Sequence, residues 1–166
     1  MNSADLWSGF NSRAGLLIYT NLLVLFIVGG VNLDGIKSFK RARQYSKSDY
    51  QLLVRVLEGF APLYTLAHVM AEVSNLTDLA GPERLQARRV MKETRSILRE
   101  PEMASLRAAE RRRTRGLDLL MPRSWRLARE HRCAVLTDDL DLYLALSRDG
   151  IVALNFTHLR QRAWGV

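Results

Sequence analysis

The stretch that most constrains this chain is 133–146, Cys-Ala-Val-Leu-Thr-Asp-Asp-Leu-Asp-Leu-Tyr-Leu-Ala-Leu. Its first four residues are apolar without alternation, as in a strand covered on both faces. Thr137, Asp138 and Asp139 follow at once. Leu140, Leu142, Tyr143, Leu144 and Leu146 then fall at the spacing of one side of a helix. A strand that runs straight into a helix is half of a parallel crossover unit. In such sheets ligands bind in the crevice beyond the carboxyl ends of the strands. Two roles are open to the acids there. An Asp at a helix start caps free backbone N–H groups and suits the helix dipole, which is its commoner use. Grouped carboxylates can also hold a hard cation.

The rest of the chain repeats the alternation. Residues 15–19 are expected to form a buried strand, 20–21 a polar turn and 22–31 a buried helix. Read as one block, 15–31 has about 17 mostly apolar residues followed by Lys37, Lys40, Arg41 and Arg43, which is the profile of a marginal membrane anchor. The polar Tyr19-Thr20-Asn21 interrupts that block, and about 10 apolar residues are too few to span a bilayer. The split reading is preferred, and a membrane partner is not expected. Ser46-Lys47-Ser48-Asp49 opens a helix whose inner face is Leu52, Leu53, Val56, Leu57 and Phe60. Gly59 and Pro62 stop it. Residues 63–67 read as a second strand and 68–79 as a helix with Val69, Val73 and Leu76 inside. His68, Glu72 and Asn75 share a different face.

Residues 82–115 read as helical and rich in arginine, divided near Pro101. Such a run is usually a solvated face. The sharper reading is a phosphate-binding arm that includes Arg88, Arg89, Arg95, Arg111, Arg112 and Arg113. Aromatic residues are absent there, so contact would be to backbone rather than bases. A helix at 123–131, a strand at 132–137 and a last strand at 151–154 complete the pattern. The expected fold is α/β, a three-layer α/β/α sandwich around a short parallel sheet. One domain over 15–162 follows a polar segment, 1–14, that lacks the marks of a secretory signal.

Composition narrows the setting. A hydrophobic content of 48% argues against disorder. A single cysteine excludes an internal disulfide and suits a reducing, cytoplasmic compartment. The net charge of +8 would attract polyanions, RNA first among them. The sequence has no phosphate-binding glycine loop, no H-E-x-x-H and no paired cysteines.

Three separated segments together resemble the PIN domain, a metal-dependent nuclease fold. Residues 16–23, Leu-Leu-Ile-Tyr-Thr-Asn-Leu-Leu, are similar to that family's opening strand and D-T-N turn. Residues 68–76, His-Val-Met-Ala-Glu-Val-Ser-Asn-Leu, match its helix Glu. Thr137-Asp138-Asp139 matches T-x-D, and residues 155–160 resemble its closing segment. The resemblance implies an endoribonuclease acting on single-stranded RNA with Mg²⁺ or Mn²⁺. Glu72 and Asp139 would be metal ligands and catalytic groups. Asp118 and Asp141 would be auxiliary ligands, and Asn155 would orient a carboxylate or water. Two positions depart from the family: Tyr19 stands where its first Asp belongs, and its helix Asp falls near Met121. Activity is therefore expected to be impaired. The alternative is an inactive PIN-like domain that binds RNA or a protein. The family's partners extend to an antitoxin, another protein or a second copy of the chain.

Overall fold

The computed structural model describes residues 10, 12–76, 83–99 and 123–165. Five strands form one all-parallel sheet in the order β3-β2-β1-β4-β5. The strands are β1 (Leu16–Ile18), β2 (Leu63–Tyr64), β3 (Leu98–Arg99), β4 (Ala134–Thr137) and β5 (Ala153–Asn155). Seven helices accompany them among the described residues: α1 (Thr20–Val31), α2 (Lys47–Glu58), α3 (Ala67–Leu76), α4 (Glu83–Ile97), α5 (Arg123–His131), α6 (Leu140–Arg148) and α7 (Phe156–Trp164). The fold is the expected α/β sandwich. The chain builds the sheet outward from β1 to β3, then returns to the other side of β1 with β4. Right-handed crossovers put the helices of these two halves on opposite faces.

Burial accounts for the apolar block near the start. All three residues of β1 are buried. Behind them Leu22 to Leu25 and Ile27 to Gly29 are buried on α1. That helix packs against α2, α3 and α4. Gly29 passes under the Tyr50 ring of α2, and Gly30 faces Val90 of α4. Its apolar surface is thus used up inside the protein. No helix among the described residues is long and apolar enough to cross a membrane. Gly15 turns the chain into β1 at a φ of +92°, where a Cβ would meet the Pro62 carbonyl oxygen at 2.4 Å. Only glycine suits that position.

Several boundaries differ from expectation. Tyr19-Thr20-Asn21 is not a turn: Tyr19 is the N-cap of α1, and Thr20 opens the helix. The second strand covers only 63–64, and the last is shifted to 153–155. In the closing segment 155–160, Asn155 ends β5 and caps α7, which opens at Phe156. The arginine-rich helix stops at Ile97, and Leu98–Arg99 pairs with β2 as an edge strand. That strand is too short for periodicity to signal it. Pro101, Arg111, Arg112, Arg113, Asp118 and Met121 lie outside the described residues.

Candidate functional site

The chain's change of direction falls between β1 and β4, and the crevice of a parallel sheet opens at that point. The Tyr19 N–H donates to the Leu136 carbonyl at 3.2 Å, carrying the β1–β4 pairing one residue beyond β1. Tyr19 therefore leaves β1 beside the Thr137-Asp138-Asp139 turn that leaves β4. Glu72 approaches from α3, where Val69, Met70 and Val73 are buried and Glu72 is exposed. Its Oε2 accepts a hydrogen bond from Thr20 Oγ1 at 3.0 Å. Tyr19, Glu72 and Asp139 thus share the carboxyl edge of the sheet.

Asp139 and Asn155 each already have a structural task. Asp139 is the N-cap of α6: its Oδ1 accepts from the Leu142 N–H at 3.0 Å. Its own N–H donates to Thr137 Oγ1 at 3.1 Å. Asn155 caps α7, its Oδ1 accepting from the N–H groups of Thr157 and His158 at 2.9 and 3.2 Å. That amide oxygen faces its own helix. Asp141 is exposed in the first turn of α6.

The Tyr19 hydroxyl donates to Ser124 Oγ of α5 at 2.5 Å. Burial pushes this phenol above its usual range; the Ser124 bond acts against that, and the nearby Asp139 charge adds to it. Tyr19 is therefore a neutral donor at pH 7, a poor ligand for a hard cation. Thr65, just past β2, is fully buried, and its hydroxyl has no hydrogen-bond partner among the described residues.

Asp138 is the hub that the sequence did not reveal. Tyr45 donates its hydroxyl to Asp138 Oδ2 at 2.5 Å. Asn21 Nδ2 lies 3.3 Å from both carboxylate oxygens, and Gln44 Nε2 is 3.5 Å from Oδ2. Tyr45 is 2% exposed and meets the Phe156 ring edge-on. Burial, with Asp138 beside it, raises its pKa far above the ordinary tyrosine value. Asp138 thus ties the loop before α2 to the end of β4. Asn21 sits 117 residues away in sequence, so no local spacing could have signalled the contact.

Among the described residues no group of three or more His, Cys, Asp or Glu side chains is arranged to hold a metal ion. Among the described residues Glu72, Asp139 and the exposed Asp141 are the carboxylates left to such a role, with the neutral Tyr19 phenol beside them. Those residues do not fit a Mg²⁺ or Mn²⁺ centre, which needs close, charged oxygen ligands. A cleft of about 300 Å³ lies at the other end of α1, lined by Val28, Val31, Asn32, Phe39 and Glu83. It takes no part in the crevice.

Comparison with family models, with curated proteins and with solved structures gives no match. The class that fold and site define is a parallel α/β sandwich with an acidic, hydrogen-bonded crevice at its switch point.

Proposed function

We propose that the chain is a PIN-like domain that binds single-stranded RNA, in which Mg²⁺- or Mn²⁺-dependent endoribonuclease activity is weak or absent. The observation that carries this reading is the Tyr19–Ser124 hydrogen bond. It stands one residue beyond the first strand, at the crevice that Glu72 and Asp139 share. A carboxylate at position 19 would add charge for a cation, whereas the phenol closes the spot with a neutral bond. The strand order and the edge position of Glu72 and Asp139 support the PIN-like part of the reading. The exposed Arg88, Arg89 and Arg95 of α4 supply cations for RNA backbone contact.

The test is cleavage of single-stranded RNA with added Mg²⁺ or Mn²⁺ and a chelator control. The unmodified chain should cut little or not at all. Tyr19→Asp should raise metal-dependent cleavage, and Glu72→Ala in that background should remove the gain. Asp139→Ser separates the two tasks of that residue, since serine retains the helix cap but not the charge. Robust chelator-sensitive cleavage by the unmodified chain, lost in Asp139→Ser, would overturn the impaired-enzyme reading.

A further inference from the structure

Loop 37–45 carries Lys37, Lys40, Arg41 and Arg43, all exposed, and ends in Gln44 and Tyr45, the two residues of the loop that bond to Asp138. We infer that this loop, which runs from the far end of α1 to the edge of the crevice, is the principal surface that receives the phosphate backbone of single-stranded RNA, ahead of the arginines of α4. The inference rests on the RNA-binding reading above and assigns the site of contact.

The loop's backbone is fixed. Successive turns close it, with Ser38 N–H to the Gly35 carbonyl at 3.0 Å, Ala42 N–H to Phe39 at 2.9 Å and Tyr45 N–H to Ala42 at 2.9 Å. Ile36, Ala42 and Tyr45 are buried at 1%, 0% and 2% exposure and pin it to the core. Cations held on such a frame lose less backbone freedom on binding than those on a mobile arm.

Among the described residues the loop cations have no ion-pair partner. No acid occurs between Asp34 and Asp49. Asp34 pairs with Lys47. Asp49 is held by Arg160 and Ser46, and Asp138 by Tyr45, Asn21 and Gln44. None of the four loop cations makes a hydrogen bond or ion pair with another described residue. On α4, Glu93 dilutes the positive charge, and Glu83, which accepts from Asn32, lies across a cleft from Ser38 and Phe39.

The tether sets the direction. Gln44 and Tyr45 end on Asp138, so a strand lying along 37–43 is led toward the turn that carries Asp139. An anionic bilayer is the lesser fit. Interfacial segments insert large apolar side chains, and the exposed ones among the described residues are Leu85, Ile97, Leu140, Leu144, Val152 and Trp164, none in the loop.

The experiment compares three proteins binding a labelled oligo-uridine across a salt series. They are the unmodified chain, a loop variant (Lys37→Gln, Lys40→Gln, Arg41→Gln, Arg43→Gln) and a helix variant (Arg88→Gln, Arg89→Gln, Lys92→Gln, Arg95→Gln). All eight side chains are exposed, and thermal melts check that each variant folds. Four phosphate contacts correspond to a slope of about −2.8 in log K against log salt for a single strand. The loop variant should lose most of that slope and bind on the order of a hundredfold more weakly at about 0.1 M salt. The helix variant should change less. Loss confined to the helix variant overturns the loop assignment and leaves the RNA-binding reading standing. No binding by the unmodified chain overturns both. Binding to phosphatidylserine vesicles, abolished in the loop variant while oligo-uridine binding persists, makes the loop a membrane contact and overturns the inference.

Discussion

Replacing Arg160 with methionine should destabilise the protein through a residue 111 positions away in sequence. Asp49 is 1% exposed and pairs with Arg160. Its Oδ2 accepts from the Ser46 N–H and hydroxyl at 2.7 and 2.8 Å, closing the capping box of α2. Its Oδ1 accepts from Arg160 Nε at 2.6 Å. Removing one partner of a fully buried ion pair costs about 3–5 kcal/mol, because the other charge stays behind uncompensated. Arg160 is 32% exposed, so water screens part of the interaction. The loss should fall nearer ~2–3 kcal/mol, or roughly 4–12 °C in Tm for a chain of this size. Urea unfolding followed by circular dichroism measures it. In an Asp49→Asn background the same Arg160→Met change should cost less than about 1 kcal/mol, since no buried charge remains to be orphaned. Equal costs in the two backgrounds would refute the argument.

Tyr45→Phe keeps the ring against Phe156 but removes the bond to Asp138, at a cost of roughly 1–2 kcal/mol, since Asn21 and Gln44 remain as donors. The folded state holds the Tyr45 proton to higher pH than the unfolded chain does, so this stabilisation is complete below about pH 10 and fades above it. The alkaline limb of a stability–pH curve should therefore be shallower in the variant. Burial likewise pushes the Cys133 thiol from 9.0 up to about 11. At pH 8 a thiol reagent should label it only after denaturant is added, and labelling of the folded protein at the rate of free cysteine would contradict its burial. Gly29→Ala brings a Cβ within 2.2–2.8 Å of Tyr50 ring atoms. It should cost about 1–3 kcal/mol from overpacking, whereas Gly30→Ala should be near neutral in the same thermal melt. Equal stability of the two variants would show that Tyr50 moves aside freely.

Elements with a strong local signal were legible. The apolar tetrad before Thr137 announced β4, and Ser46 with Asp49 announced the start of α2. Of the two roles open to Asp139, the cap is the one with a hydrogen bond. The leucines and valines of α1 identified it as buried because a bilayer would need more of them. What stayed hidden was either very short or very distant. Leu98–Arg99 is a strand only because β2 offers an edge, which no property of those two residues conveys. Tyr45 and Asp138, like Asp49 and Arg160, meet through the tertiary fold, and neither pair carries a motif. Tyr19 was placed at the crevice by its match to the first strand, but its bond to Ser124 depends on where α5 begins.

The position of β1 at the centre of the sheet has a consequence for how the protein is made. While the chain emerges from the ribosome, β1 can pair with β2 on one side long before its second neighbour exists. β4 must close a loop of more than a hundred residues, and pairing over such separations forms late and slowly. Until then one edge of the most apolar strand stands open beside a helix of leucine and valine, an invitation to other chains. A product truncated before residue 134 would carry Tyr19, Thr20 and Glu72 with nothing opposite them. The crevice is thus among the last features to form, and its hydrogen bonds to Asp138 report that both ends of the chain have met.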